Sequence, residues 1–225
     1  WYVHREVNLK LRIAKKFSHI IFSSSKESFR LSSNKIVFLG HGIDIERFKY
    51  TGFADNKKIL HVGRITRIKN IDTIMEAVDG FSLTLVGSVI TKDDEFYKKE
   101  LIDKAKRLNL HITWMGAVRN SELPDIYRGH FASINAAPDG GMDKVVIESI
   151  SVGCPVFVSN TIFRNMFGKY SEIFIYKYKN SRDLLNKLKQ WDLDVNKYKI
   201  MQELSDKINN KYSLSVLIKK IISNI

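Results

Sequence analysis

The 225-residue sequence contains a single cysteine, Cys154. No intramolecular disulfide can form, and no cysteine framework for zinc exists. A lone cysteine reads as a small buried residue and fits a reducing compartment. Proline is scarce, with three in the chain. No apolar run approaches the roughly 20 residues that a membrane span needs. No signal peptide is visible. Residue 1 is Trp, not Met, so the chain reads as part of a longer or processed protein, whose own start would carry any leader. Several catalytic signatures are missing too. There is no G-x-S-x-G elbow of a serine hydrolase. There is no H-E-x-x-H zinc pattern, Walker A loop or G-x-G-x-x-G fingerprint. The six histidines are scattered, and no metal site is expected.

Acidic residues are outnumbered. Lys and Arg total 37 against 24 Asp and Glu, a net charge of +13. That balance favours anionic partners: phosphorylated ligands, nucleic acid or an anionic membrane face. Much of the charge lies in the last third, at Lys177, Lys179, Lys187, Lys189, Lys197, Lys199, Lys207, Lys211, Lys219 and Lys220. These lysines are spread through amphipathic patterns, as on solvated helix faces. No aromatic-plus-basic strand motif for stacking nucleotides is present. Charge alone keeps a basic nucleic-acid-binding protein as an alternative, but nucleic acid is not the expected partner.

Short β-branched runs alternate with longer helical patterns, which predicts an α/β fold: a Rossmann-like parallel sheet flanked by helices. A basic amphipathic helix is expected over 1–17, with Val3, Val7, Leu11 and Ala14 on one face. Strands are expected at 19–22 and 35–39, with Ser23, Ser24 or Ser25 capping a helix between them. Residues 49–57 read as a linker. Strands at 59–62, 81–86, 111–114, 131–134 and 155–158 then alternate with helices at 71–78, 93–108, 120–128 and 145–152. A last strand is expected at 173–176, and helices fill the remainder.

Ligands of open α/β sheets bind at the carboxyl ends of the strands, so the loops there are the candidates. In Gly63-Arg64-Ile65-Thr66-Arg67-Ile68-Lys69-Asn70, Gly63 permits close backbone approach. Arg64 offers a planar fork and Lys69 a compact charge to one anion. The helix that follows adds free N–H groups. The loop is a diphosphate cradle or a solvated basic turn. In Asp139-Gly140-Gly141-Met142-Asp143-Lys144, two glycines precede a helix start, and Asp143 is the expected N-cap. Lys144 is an odd choice in a first turn, where the dipole disfavours a cation, and becomes sensible beside a bound anion. Glu148 lies one turn on, either to accept sugar hydroxyls or to make a surface salt bridge with Lys144. Gly116-Ala117-Val118 offers backbone to a base edge, or is a plain turn. Gly40-His41-Gly42-Ile43-Asp44 reads as a tight turn with an exposed histidine.

Taken in order, these segments resemble the C-terminal domain of retaining GT-B glycosyltransferases of family 4. His61-Val62-Gly63-Arg64 through Lys69-Asn70 resembles the family's strand, Gly-Arg, Lys-Gly, helix pattern, with Asn70 for the second glycine. Gly42-Ile43-Asp44 with Phe48 resembles Asn-Gly-Val-Asp-x-x-x-Phe. Leu83-Thr84-Leu85-Val86-Gly87 resembles the next strand. Trp114-Met115-Gly116-Ala117-Val118 with Leu123 and Tyr127 resembles Phe-x-Gly-x-Val, Leu, Tyr. Residues 145–156 resemble Leu-Glu-Ala-Met-Ala-x-Gly-x-Pro-Val.

The resemblance implies that Arg64 and Lys69 hold a donor diphosphate and Glu148 the ribose. It implies that backbone near Val118 meets the base, while Gly63 and the loop of Asp139, Gly141, Met142, Asp143 and Lys144 approach phosphates and sugar. The family's glutamate eight residues before Glu148 is replaced by Gly140, for which Asp139 or Asp143 would substitute. The resemblance also divides the chain, with 1–48 as the end of a first domain and its crossing, and 49–225 as the nucleotide-sugar-binding domain. The implied substrate is a nucleoside-diphosphate sugar, with no cofactor and a carbohydrate or lipid-linked acceptor. This part alone is expected to bind donor without full transfer. A non-catalytic nucleotide-binding or scaffold module is the other reading. The expected location is cytoplasmic, with peripheral membrane contact through the basic surface.

Overall fold

The computed structural model describes residue 2 and residues 6–225, the side chain of Glu27 excepted. In chain order its elements are α1 (Leu9–Phe17), β1 (Ile21–Ser23), β2 (Ile36–Phe38), β3 (Lys58–Val62), α2 (Ile71–Ala77), β4 (Ser82–Val86), α3 (Lys92–Arg107), β5 (Ile112–Gly116), α4 (Leu123–Arg128), β6 (Ala132–Asn135), α5 (Lys144–Val152), β7 (Val156–Val158), α6 (Arg164–Phe167), α7 (Ser171–Phe174), α8 (Ser181–Leu193), α9 (Lys197–Tyr212) and α10 (Leu214–Ile222).

Five strands form one parallel sheet in the order β5-β4-β3-β6-β7. The expected α/β sheet with flanking helices is therefore present. Its central strand alternates between two cores, as a period of two requires. Ile59 joins the large core of α2, α3, α8 and α9, whereas Leu60 joins the smaller one with Phe48, Leu123, Tyr127 and Val152. All of β6 and β7 is buried; β7 is correspondingly all apolar, while β6 also buries Ser133 and Asn135.

β3 and β4 pair in register from Lys58 with Ser82 to Val62 with Val86, so both end at one level. There the backbones of Gly63 and Gly87 touch. A Cβ on Gly87 would fall 1.8 Å from the Gly63 carbonyl oxygen, and only glycine fits. The chain leaves β3 towards β4 on one side and leaves β6 towards β7 on the other. The loops after β3 and β6 therefore flank the point where strand order reverses, the place at which such sheets bind ligands.

Local chemistry sets the helix ends. Thr91 and Asp94 form a reciprocal capping box at the start of α3, acids fill its first turn and bases its last. α5 stops at Gly153, whose φ of 98° needs glycine. In α8 and α9 Lys189, Lys199, Lys207 and Lys211 are exposed opposite buried Leu184, Leu188, Trp191, Ile200, Met201, Leu204 and Ile208, as on outer faces, whereas the Lys197 side chain is only 14% exposed. No helix among the described residues is long and apolar enough to cross a membrane.

Four expectations need correction. The helix expected over 1–17 is observed as Leu9–Phe17, and Val3 lies outside the described residues. On its supposed apolar face only Leu11 is buried, while Val7 and Ala14 are exposed. Leu11 packs with Ile21 and Phe29 in a small separate core around the parallel β1–β2 pair. The serine run does cap, but Ser25 caps a single 3₁₀ turn at Lys26–Ser28, not an α-helix. Residues 49–57 are no free linker, because Phe53 is buried, stacks 4.9 Å from Tyr198 and lies 6.2 Å from Trp191. Finally, the strand expected at 173–176 is mostly the helical turn α7, with Ile175 alone bridging Val158. Phe174 is held among Phe157, Phe167 and Trp191. Short apolar runs carry no period that separates strand from helix.

Candidate functional site

After β3, the Gly63 amide donates to Val86 O at 2.9 Å and the Ile65 amide to Ser88 O at 3.0 Å, which fastens the loop to the end of β4. Arg67–Lys69 forms a 3₁₀ turn. Asn70 ends it in the left-handed region, at φ 43° and ψ 48°. Asparagine is the residue besides glycine that tolerates this conformation best, which explains why it replaces the second glycine of the motif. Its carboxamide then does something glycine cannot. It donates to Ala136 O at 2.9 Å and to the Tyr178 hydroxyl at 3.1 Å, tying the two loops of the crevice together.

The loop after β6 is held from both sides. Asp139 accepts from the Thr161 amide at 2.6 Å and its hydroxyl at 3.0 Å. Asn160 donates to Gly141 O at 3.1 Å, and His41 Nε2 donates to Met142 O at 2.9 Å. Gly140 is buried at φ 145°, a conformation that disfavours any side chain, glutamate included. Asp143 occupies the N-cap position of α5 but caps nothing with its side chain. Its Oδ2 instead accepts from Lys69 Nζ at 2.6 Å and from Asn135 at 2.8 Å.

The two loops enclose a pocket of about 370 Å³. Of the residues singled out in the sequence, His41, Arg64, Lys69, Gly141, Met142, Asp143 and Lys144 line it. Arg64 is exposed, with no ion-pair partner among the described residues. Lys69 is largely buried, at 16% exposure. Three cations thus face the pocket against the one carboxylate of Asp143, an arrangement suited to a polyanion. Gly63 lies beneath the wall, where a Cβ would stand 3.3 Å from His61 Nε2 and 3.7 Å from Lys69 Cε. Asp139 is turned to Thr161 and is not among the lining residues.

Glu148 and Val118 form a neighbouring region. The Glu148 side chain is 3% exposed and lies 3.4 Å from Lys144 Nζ, so this pair is no ordinary surface salt bridge. Burial raises the Glu148 carboxyl above its usual range, while Lys144 and a hydrogen bond from Asn120 pull it back. Asn120 follows Val118 closely in the chain, and Val118 packs against the core of Phe48, Leu60 and Val86. Lys144 is the link, since it lines the pocket and touches Glu148.

Sequence reasoning missed several contributors. Ser24 and Ser28 reach the pocket from the β1–β2 unit, and nothing local announces it. His41, expected to be exposed, is half-buried against the second loop. Burial lowers its basicity, and the Met142 contact opposes that. His61 is fully buried with Nδ1 on Ile134 O at 3.0 Å and Nε2 unpartnered, and burial depresses its pKa to about 4. A polar residue late in a buried parallel strand, as at His61 and Asn135, was the available signal. Among the described residues no three His, Cys, Asp or Glu side chains converge as a metal site would require.

The sequence profile of the family described as glycosyl transferases group 1 matches residues 42–207, spanning both loops and the whole sheet. The chain belongs to that family. Its members are glycosyltransferases, and the solved structures it resembles carry the same architecture. HepE of Anabaena, crystallised with UDP and glucose, superposes with a TM-score of 0.83 at 18% identity, over 96% of this chain and 65% of that one. Sucrose-phosphate synthase of Thermosynechococcus elongatus gives 0.80 at 15%, over 95% and 60%. The C-terminal domain of a glycosyl transferase group 1 family protein of Francisella tularensis gives 0.66 at 23%, over 77% of this chain and all (100%) of that one. The chain thus spans less than two thirds of the first two proteins. At these identities the likeness establishes the fold, the Rossmann-like sheet of GT-B glycosyltransferases. No curated protein sequence gives a significant match.

Proposed function

We propose that this chain is the donor-binding, C-terminal half of a retaining GT-B glycosyltransferase of family 4. The whole protein would move a sugar from a nucleoside-diphosphate sugar to a carbohydrate or lipid-linked acceptor. One observation carries the reading: Arg64, Lys69 and Lys144 meet around a single pocket at the reversal point of the sheet. Family membership, and neighbours crystallised with UDP or UDP-glucose, support it.

In this reading Arg64 and Lys69 bind the diphosphate. As the bond from the anomeric carbon to the phosphate oxygen breaks and the acceptor oxygen bonds to that carbon, charge grows on the departing diphosphate. Preorganised cations stabilise it most at that point. The N–H groups opening α5 are left uncapped by Asp143 and add to the same field. Glu148 takes the ribose hydroxyls, backbone near Val118 the base edge, and Gly63 and 141–144 the phosphates and sugar. The donor is the substrate, and the reading requires no cofactor. A cytoplasmic protein touching the membrane peripherally fits the +13 charge, and liposome sedimentation without preference for anionic lipid would remove that part.

A thermal-shift screen over UDP-, GDP- and ADP-sugars tests the core of the proposal. Binding to the folded state alone must raise the melting temperature, and Arg64→Ala or Lys69→Ala must shrink the rise. No shift with any donor at millimolar concentration overturns it. Gly140, buried at φ 145°, favours one second reading, a module that binds donor without transfer. Binding without turnover by the whole protein would select it.

A further inference from the structure

The pocket is rich in donors and poor in acceptors. Arg64, Lys69 and Lys144 offer only N–H groups. The Ser24 hydroxyl donates to Ser28 at 3.1 Å, and Ser28 also meets Ser25 at 3.0 Å, so these hydroxyls are held within a serine cluster. Asp143 receives Lys69 and Asn135 on Oδ2. A sugar, by contrast, brings hydroxyls that must donate as well as accept. Besides the serine oxygens, the side-chain acceptors facing them are Asp143 Oδ1 and the second ring nitrogen of His41.

His41 is fixed for that task. Its Nε2 faces a carbonyl, Met142 O, at 2.9 Å, so Nε2 must carry the proton and Nδ1 the lone pair. Nδ1 has no partner among the described residues, and His41 lines the pocket. The neutral ring is also favoured, because burial, with nearby Lys144, lowers its basicity against the Met142 contact and Asp143. Beside a bound diphosphate a neutral acceptor meets no like-charge repulsion, whereas the carboxylate of Asp143 does.

Building on the donor reading above, we infer that His41 is a sugar-specificity residue: Nδ1 accepts a hydrogen bond from one hydroxyl of the donor sugar while Nε2 anchors the ring to the 141–144 loop. No covalent step is involved.

Calorimetric titration of the whole chain tests this with UDP, GDP and ADP, their glucose esters, and the monodeoxyglucose esters of whichever nucleotide binds. His41→Phe should weaken the glucose ester by about fivefold to tenfold more than it weakens the bare nucleoside diphosphate, the extra factor being the worth of one neutral hydrogen bond. His41→Gln, which keeps a donor and an acceptor, should recover part of the loss. One monodeoxy ester should lose the same factor on the native chain and nothing further on His41→Phe. Equal losses for nucleotide and ester would make His41 a loop anchor only and overturn the inference. A deoxy effect unchanged by His41→Phe would assign the hydroxyl to Asp143 and overturn it too. If no nucleotide binds the native chain, the donor reading itself fails, and this inference with it.

Discussion

Lys69 Nζ lies 2.6 Å from Asp143 Oδ2, joining the loop after β3 to the start of α5 across 74 residues of sequence. This ion pair holds the ammonium that the proposed mechanism assigns to a diphosphate. The two partners should respond oppositely to substitution. Lys69→Met is expected to weaken nucleoside-diphosphate binding about tenfold or more. Asp143→Asn keeps the shape, removes a competing charge, and is expected to tighten it. Calorimetry on both variants checks the pair, and parallel weakening would contradict the competition.

Glu148 is buried, and its carboxyl is raised by desolvation. A raised carboxyl favours the fold while protonated and loses that contribution as pH climbs through the folded pKa. Wherever this carboxyl is ionised, its burial therefore costs the fold. Glu148→Gln should leave the melting temperature unchanged or higher while nucleotide affinity falls. A lowered melting temperature with unchanged affinity would identify Glu148 as structural.

Asn70 combines a left-handed backbone with hydrogen bonds across the crevice. Asn70→Gly relieves the backbone but removes the bridge to Ala136 O. Asn70→Ala removes the bridge and adds left-handed strain of about 1 kcal/mol. Chemical denaturation should rank the native chain above Asn70→Gly, and Asn70→Ala last. Alanine equal to glycine would show that the strain is relieved elsewhere.

His61 is neutral in the fold down to a pKa of about 4, against 6.5 for an unperturbed histidine. Between those values the unfolded chain binds a proton that the folded chain refuses. Stability is then fully present above pH 6.5 and falls as pH drops towards 4, by about 3 kcal/mol from this group at most. Burial lowers His41 and His130 in the same direction. His61→Leu should flatten the dependence of unfolding free energy on pH across that window. An unchanged slope would place the proton uptake elsewhere.

The strands and helices of the sheet were legible because their causes are local. Short β-branched runs, helical periodicity, and Gly63, Gly87 and Gly116 at the ends of β3, β4 and β5 act within a few residues of chain. Arg64, Lys69 and Lys144 stood out for the same reason, being cations beside glycines at strand ends. The short apolar run at 173–176 misled, since such a run satisfies strand and helix alike, and Phe53 showed that a charged stretch is pinned down by one aromatic. Strand order is not local. Nothing in the sequence of β3 states that β6 lies beside it, because buried parallel strands offer interchangeable apolar edges and only the packing of the whole sheet selects among them. The sequence by itself therefore determined which loops carry charge and where the backbone turns. The tertiary structure alone decided that Lys69 meets Asp143 and that Asn70 ties one loop to the other, because the sheet order sets β3 beside β6, and that His41 faces the pocket, because the segment after β2 packs on the 141–144 loop.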